Sequence, residues 1–211
     1  MNKVSVLNNG YVELVEWMGG DDAVIRNARR CWKSESKGAE SDRKLLKHLL
    51  KNAHKTPFEA MVFTFDVKCP LFVARQWHRH RMGSYNEESL RYCAAERDYF
   101  IPEGLDDELL KTWKAHNERS FDLYEEMVNN HRMRRELARS LLPVGLYTRF
   151  YWTVNGSSLL NFLVLRTDKH AQKEIQEYAQ ALLKLVRNAA PVSFRIMEEH
   201  VFPGYQEGES S

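Results

Sequence analysis

The sequence predicts an α+β fold: a single domain in which helices segregate from a small, mostly antiparallel sheet. Three observations lead there. Residues 63–68 alternate strictly, with Phe63, Phe65 and Val67 against Thr64, Asp66 and Lys68, and residues 147–155 are rich in aromatic and β-branched side chains. Residues 42–50 and 171–189 instead carry apolar residues at helical spacing. The elements run strand, helix, helix, strand, helix, and then helices around a further strand. No internal repeat or linker divides the chain, so residues 1–202 read as one domain.

Taken in order, residues 11–17 alternate apolar and acidic, with Val12 and Leu14 flanking Glu13, and read as a strand. Gly19-Gly20 makes a turn, after which Asp21 or Asp22 is placed to cap a helix bearing Val24, Ile25 and Ala28. Residues 34–40 are polar loop. Asp42 opens a helix with Leu45, Leu46, Leu49 and Leu50 on one stripe, which ends before Thr56-Pro57 because the residue before proline disfavours helix. The strand at 63–68 is followed by Pro70, a good first residue for a short helix over 71–77 that delivers Gln76 and Arg79 to a polar loop. Residues 105–129 and 132–142 have helical spacing, the second stopped by Pro143 and Gly145. After the strand at 147–155, Ser157 or Ser158 is placed to cap a helix holding Leu159, Leu160, Phe162 and Leu163. The tail from Pro203 to Ser211 is rich in Gly, Glu and Ser and reads as disordered.

Composition narrows the function. The chain has 211 residues, 43% hydrophobic and 28% charged, as in an ordinary globular protein. A net charge of only +2 gives no general support for binding nucleic acid or a membrane surface. The basic charge is local: Arg75, Arg79, Arg81, Arg91 and Arg97 in one stretch, His131, Arg132, Arg134, Arg135 and Arg139 in another. Such clusters suit a small anionic ligand, although Arg132, Arg134 and Arg135 are most simply a solvated helix face. Cys31, Cys69 and Cys93 are odd in number and far apart, which suggests buried thiols rather than a disulfide framework or a zinc ribbon. With no apolar leader and no apolar run of membrane-spanning length, the expected location is the cytoplasm.

The richest segment is residues 79–92, Arg-His-Arg-Met-Gly-Ser-Tyr-Asn-Glu-Glu-Ser-Leu-Arg-Tyr. It packs three arginines, one histidine, two carboxylates and two serines into fourteen positions, with almost nothing to bury. Guanidinium forks match phosphate oxygens, and Ser, Asn and Glu supply directional donors and acceptors beside them. A site for phosphates and a polar ring needs this set of groups. His78 and His80 lack further ligands at metal spacing, so no metal site is expected. Ser89 has no His–Asp pair at a recognisable spacing, so a substrate hydrogen bond suits it better than a nucleophilic role.

Arg79-His80-Arg81, seven residues and then Ser89, with Ser84, Asn86, Glu87, Arg91 and Tyr92 in place, resembles the motif of the flavin-dependent thymidylate synthases. Further blocks resemble that family in its order: 54–59 (His-Lys-Thr-Pro-Phe-Glu), 72–77, 138–143, 147–155, and 161–172. The resemblance covers roughly residues 10–190 and implies that family's fold. It also implies its reaction, a reductive methylation of dUMP to dTMP. Methylenetetrahydrofolate gives the carbon, FAD reduced by NADPH gives the hydride, and tetrahydrofolate leaves.

Site residues follow block by block from the same resemblance. The nucleotide site maps to Gln76, Arg79, Glu87, Glu88, Ser89, Leu90, Arg91, Arg139, Leu165 and Arg166. The FAD site maps to Thr56, Glu59, Arg79, His80, Arg81, Met82, Glu87, Asn155, Asn161 and His170. Arg166, His54 and Ser89 are the implied groups nearest the chemistry, with His54 at the flavin and folate end. Arg166 and His170, four apart, would share one face of a helix. Family members are homotetramers with sites built from more than one chain, and residues 105–142 are the candidate interface. The chain departs from the family at Ser157, where arginine is common, at Cys31 in place of a serine, and at Leu90 in place of a glycine found in some members. Two rival readings remain open: a related pyrimidine-modifying enzyme such as a hydroxymethylase, and a non-catalytic module that binds a flavin, a nucleotide or RNA.

Overall fold

The computed structural model describes residues 2–200, so the tail read as disordered lies outside the described residues. Five strands form one antiparallel sheet: β1 (Lys3–Val6), β2 (Gly10–Met18), β3 (Val62–Pro70), β4 (Ser84–Glu87) and β5 (Tyr147–Asn155), in the order β1-β2-β3-β5-β4. The longest ladder joins β3 to β5 over all nine residues, from Val62 opposite Asn155 to Pro70 opposite Tyr147. Residues paired straight across it share a face, since side chains alternate along each strand. Leu14, Phe65 and Trp152 form one inner row and Val12, Val67 and Phe150 the next, every one of them buried. The opposite face carries Tyr11, Glu13, Asp66, Arg149 and Tyr151. There the Tyr11 hydroxyl donates to Asp66 at 2.9 Å and Arg149 donates to the same carboxylate at 3.1 Å.

Eight helices accompany the sheet among the described residues. They are α1 (Asp21–Arg30), α2 (Ala39–Lys51), α3 (Leu71–Trp77), α4 (Asp107–Asn129), α5 (Arg135–Ala138), α6 (Gly156–Arg166), α7 (Lys173–Val186) and α8 (Pro191–His200). Short 3₁₀ turns occupy Thr56–Ala60 and Arg139–Leu141. The apolar stripe of α7 (Ile175, Tyr178, Ala179, Leu182, Val186) is wholly buried against the sheet. Leu159, Leu160, Phe162 and Leu163 of α6 join the same core. The fold class read from the sequence is the one observed.

Several local details differ from the sequence reading. Asp21 begins α1 but does not cap it. Its carboxylate accepts from the Val192 and Ser193 amides (2.8 and 2.9 Å) and the Ser193 hydroxyl (2.6 Å), at the start of α8, a helix the periodicity left unread. Asp42 lies within α2, where the Arg29 guanidinium donates to it at 2.6 Å and the Ser36 hydroxyl also reaches it. The helix expected over 132–142 shrinks to α5 and a 3₁₀ turn, because Arg132 takes a left-handed backbone (φ 52°) that cannot belong to an α-helix. Residues 84–87, read as loop, pair with β5 as a short edge strand. Of the cysteines only Cys69 is buried; Cys31 and Cys93 are exposed. Among the described residues no helix is long and apolar enough to cross a membrane.

The junction of β5 and α6 is tightly packed. A Cβ on Gly156 would stand 2.5 Å from the Phe58 carbonyl oxygen and 2.8 Å from the Met61 methyl, while its amide donates to the Met61 carbonyl at 2.8 Å. Gly156→Ala should therefore lower stability by about 1–3 kcal/mol through overpacking. Urea unfolding should show a lower midpoint with an unchanged m-value.

Candidate active site

The 79–92 segment is held from behind by aromatic packing. α3 ends at Trp77, whose indole packs on Phe162 (4.8 Å) and edge-on to Trp152 (5.3 Å). The His80 amide donates to the Trp77 carbonyl at 2.9 Å, closing a turn that throws Arg79, His80 and Arg81 outward. Tyr85, stacked on Trp152, donates its hydroxyl to the His80 carbonyl at 2.7 Å. Gly83 lets the chain cross Trp152: a Cβ there would lie 2.8 Å from the indole Nε1.

In front of this turn lies a cavity of about 800 Å³, within the usual range of about 300–1,000 Å³ for small-molecule sites. One wall is Lys55, Arg79, His80, Arg81, Met82 and Trp152. The other is α6, from Ser157 and Ser158 in its first turn through Asn161 to Leu165 and Arg166. Four cations and no carboxylate line it, and a helix N-terminus adds backbone donors, so the cavity favours anions. The buried Trp152 Nε1 has no hydrogen-bond partner. A dinucleotide with two phosphates and a polar ring fits this combination.

Two groups in the cavity are shifted from their ordinary behaviour. Burial, with Arg166 alongside, pushes His80 down from 6.5 to about 4, so its imidazole is neutral at pH 7. Burial also lowers the Arg166 guanidinium, with Arg79 a secondary cause. Arg166 donates through Nε to His80 Nε2 at 3.0 Å and through Nη2 to the Gln76 carbonyl at 3.1 Å.

The structure divides the residues implied by the resemblance. Arg79, His80, Arg81, Met82, Asn161, Leu165 and Arg166 share the cavity, and Gln76 is tied to it through Arg166, while its amide donates to Gln172 at 2.6 Å. Thr56 and Glu59 are exposed on the adjoining 3₁₀ turn. His54 precedes that turn, also exposed, edge-on to His48 at 5.9 Å. Asn155 caps α6, its side-chain oxygen accepting from the Ser158 amide at 2.8 Å; the serines expected to cap line the cavity instead. His170 lies past the end of α6, not on it, largely exposed and hydrogen-bonded to Asp168 at 2.8 Å.

The other nucleotide residues sit apart. Glu87 accepts from the Thr148 hydroxyl at 2.6 Å. Glu88, whose carboxyl burial pushes up, and Leu90 line a second cavity of about 430 Å³ with Tyr11, Lys68 and Arg149. The Ser89 hydroxyl oxygen accepts from the Arg91 amide at 3.3 Å, and Arg91 pairs with Glu136 at 3.2 Å. Arg139 lies in the second 3₁₀ turn. Sequence reading did not assign Lys55, Trp152, Ser158, Tyr85 or Gln172 to the site, although each lies in or beside a block that carries the resemblance.

A family model described as Thymidylate synthase complementing protein matches residues 13–192. A flavin-dependent thymidylate synthase of Thermotoga neapolitana is 43% identical over 210 residues, covering 96% of this chain and 97% of the relative. The chain belongs to the flavin-dependent thymidylate synthase family. The family's enzyme from Borreliella burgdorferi is 35% identical over 230 residues, covering 97% and 86% of the two chains. Among solved structures, the UMP/dUMP methylase PolB of Streptomyces cacaoi, bound with 5-Br dUMP, superposes with a TM-score of 0.85 at 28% identity, covering 92% of this chain and 97% of that one. Family membership makes the chain a flavin-dependent methyl-transferring enzyme, and the cationic cavity is where this family member gathers the Arg-His-Arg motif. Because Asn155 fixes the first turn of α6 that walls the cavity, Asn155→Ala should cost about 0.5–2 kcal/mol, while Asn155→Asp should retain most of the stability. Thermal midpoints of the two variants check this.

Proposed function

We propose that the protein makes dTMP from dUMP, taking the one-carbon unit from methylenetetrahydrofolate and hydride from FAD that NADPH has reduced, and releasing tetrahydrofolate. The observation that carries the reading is the cationic cavity in which Arg79, His80 and Arg81 face Asn161 and Arg166. Arg79, Arg81 and the first turn of α6 would hold the flavin phosphates, Ser157 and Ser158 serving where arginine is common in the family. Met82 and Asn161 would border the rings, with Thr56, Glu59, Glu87, Asn155 and His170 completing the flavin site and His54 at its folate end. When bound, the reduced flavin supplies the hydride. Arg166 would lie against the uracil, where a fixed positive group stabilises the ring as it becomes electron-rich. Gln76 and Leu165 would border that ring.

The remaining nucleotide residues, Glu87, Glu88, Ser89, Leu90, Arg91 and Arg139, do not line the cavity of their own chain. In this reading they complete the cavity of a partner chain in a homotetramer, with Arg91 and Arg139 on the phosphate and Ser89 hydrogen-bonding the nucleotide. The exposed Leu109, Trp113 and Leu123 of α4 favour that helix as an interface.

The decisive assay is anaerobic. Reduced, FAD-loaded protein should reoxidise its flavin only when dUMP and methylenetetrahydrofolate are both present, with dTMP formed. UMP, the other nucleotide for which the UMP/dUMP methylase PolB is named, should be the poorer acceptor in the same assay. Reoxidation without dTMP would overturn the reading. Shared sites make a separate prediction: Arg91→Ala and Arg166→Ala, each inactive alone, should regain activity when mixed and allowed to exchange subunits. No recovery after verified exchange counts against them.

A further inference from the structure

We propose that His80 is a positioning residue for Arg166: its Nε2 accepts the Arg166 Nε–H and thereby aims the free edge of the guanidinium into the cavity. The first step is a proton count. Arginine has five N–H donors and no acceptor, so in the 3.0 Å contact between Arg166 Nε and His80 Nε2 the guanidinium donates. Nε2 must then carry a lone pair, the imidazole must be neutral, and its one proton must sit on Nδ1.

The second step is geometric. The Nε–H and one Nη2–H form one edge of the planar guanidinium, and both are taken, by His80 Nε2 and by the Gln76 carbonyl at 3.1 Å. The opposite edge, two parallel N–H bonds from Nη1 and Nη2, remains. That fork matches a pair of acceptors in one plane, as a nucleobase edge or an oxyanion offers. Lysine in place of Arg166 would offer no planar fork.

The third step is rigidity. The His80 ring packs on Phe162 at 4.7 Å, and Phe162 is fully buried. Its backbone is fixed by the Tyr85 hydroxyl on its carbonyl at 2.7 Å and by its own amide on Trp77. With the backbone held, the imidazole can swing away only by leaving Phe162 and Arg166, so the aim of Arg166 is set before any ligand arrives. Lys55, Arg79, Arg81 and Arg166 line the same cavity with no carboxylate among its lining residues, and every one opposes a charge on the ring. The folded pKa of about 4 lies below the ordinary 6.5, so the native state binds fewer protons than the unfolded one between those values. Stability, and the tether itself, are lost as pH falls through that window.

The identity of the group read by the fork rests on the synthase reading; the tether does not. Imidazole ¹⁵N–¹H NMR of the full-length wild-type protein tests it without turnover. His80 should show the Nδ1–H tautomer and stay neutral well below pH 6.5, and Arg166→Gln should raise its titration and remove the tautomer preference. An Nε2–H tautomer, or a titration near 6.5 indifferent to Arg166→Gln, overturns the proposal. The functional arm titrates dUMP into the FAD-loaded protein. His80→Phe, which keeps a ring on Phe162 but offers no acceptor, should weaken binding by about tenfold or more. His80→Gln, which returns an acceptor, should recover much of that. His80→Phe and Arg166→Gln together should be no worse than Arg166→Gln alone. Additive losses overturn the proposal. If the NMR result holds while dUMP fails to bind wild type, the tether stands and the substrate reading falls.

Discussion

The nine-residue ladder between β3 and β5 is the constraint on which the site depends. Its register fixes both walls of the cavity at once. β5 ends at Asn155, which caps α6 directly, so α6 leaves the sheet from the end where Val62 opposes Asn155. β3 ends at the other side of the ladder, and α3 starts there from Pro70. Seven helical residues carry the chain back about 10 Å. The 78–83 turn then reaches the Asn155 end, where Ser84 pairs with Thr153. His80 thus meets α6, and Arg166, the last residue of that helix, meets the end of α3 at Gln76. A shift of one residue in the ladder would turn Phe65, Val67 and Trp152 to the wrong face and take Arg166 out of reach of His80.

Electrostatics then works against the empty site and for the filled one. Lys55, Arg79, Arg81 and Arg166 crowd one cavity, and burial lowers Arg166 further, with Arg79 contributing. Elsewhere the protein neutralises its arginines closely: Arg29 on Asp42, Arg97 on Glu118, Asp122 and Glu125, Arg149 on Asp66. Arg166 instead meets two neutral acceptors, the His80 ring and the Gln76 carbonyl. An anion entering the cavity meets the half-buried Arg166 already oriented by its two bonds, which is the condition for a strong interaction.

Most of the fold was legible because its signals are local. The alternation at 63–68, the strand composition of 147–155 and the stripe of α7 each report burial within one element. What escaped depends on distant partners. Asp21 reads as a cap for α1, but the orphan amides it satisfies belong to Val192 and Ser193, far along the chain. β4 has no apolar alternation because it is an edge strand, held by backbone bonds to β5. In the site, the motif announced itself by an excess of polar groups with nothing to bury. The tethers of Arg166 could not be read, since His80 lies on a turn and Arg166 at a helix end, and only the ladder brings them together.

The position of β4 also bears on how the two halves of the nucleotide set relate. β4 is the outermost strand, four residues long, and the chain leaves it at Glu87. Ser89, Leu90 and Arg91 therefore hang from the sheet's edge, and Arg91 is steadied from the side by Glu136 beside α5. Their own chain's cavity opens between the 79–82 turn and α6, on the other side of the motif. One continuous motif thus sends its first arginines into one cavity and its last outward from an edge. For a monomer that arrangement would strand half the binding groups. In the proposed assembly each motif would serve two sites, and nucleotide affinity and association of the chains would then be linked by mass action.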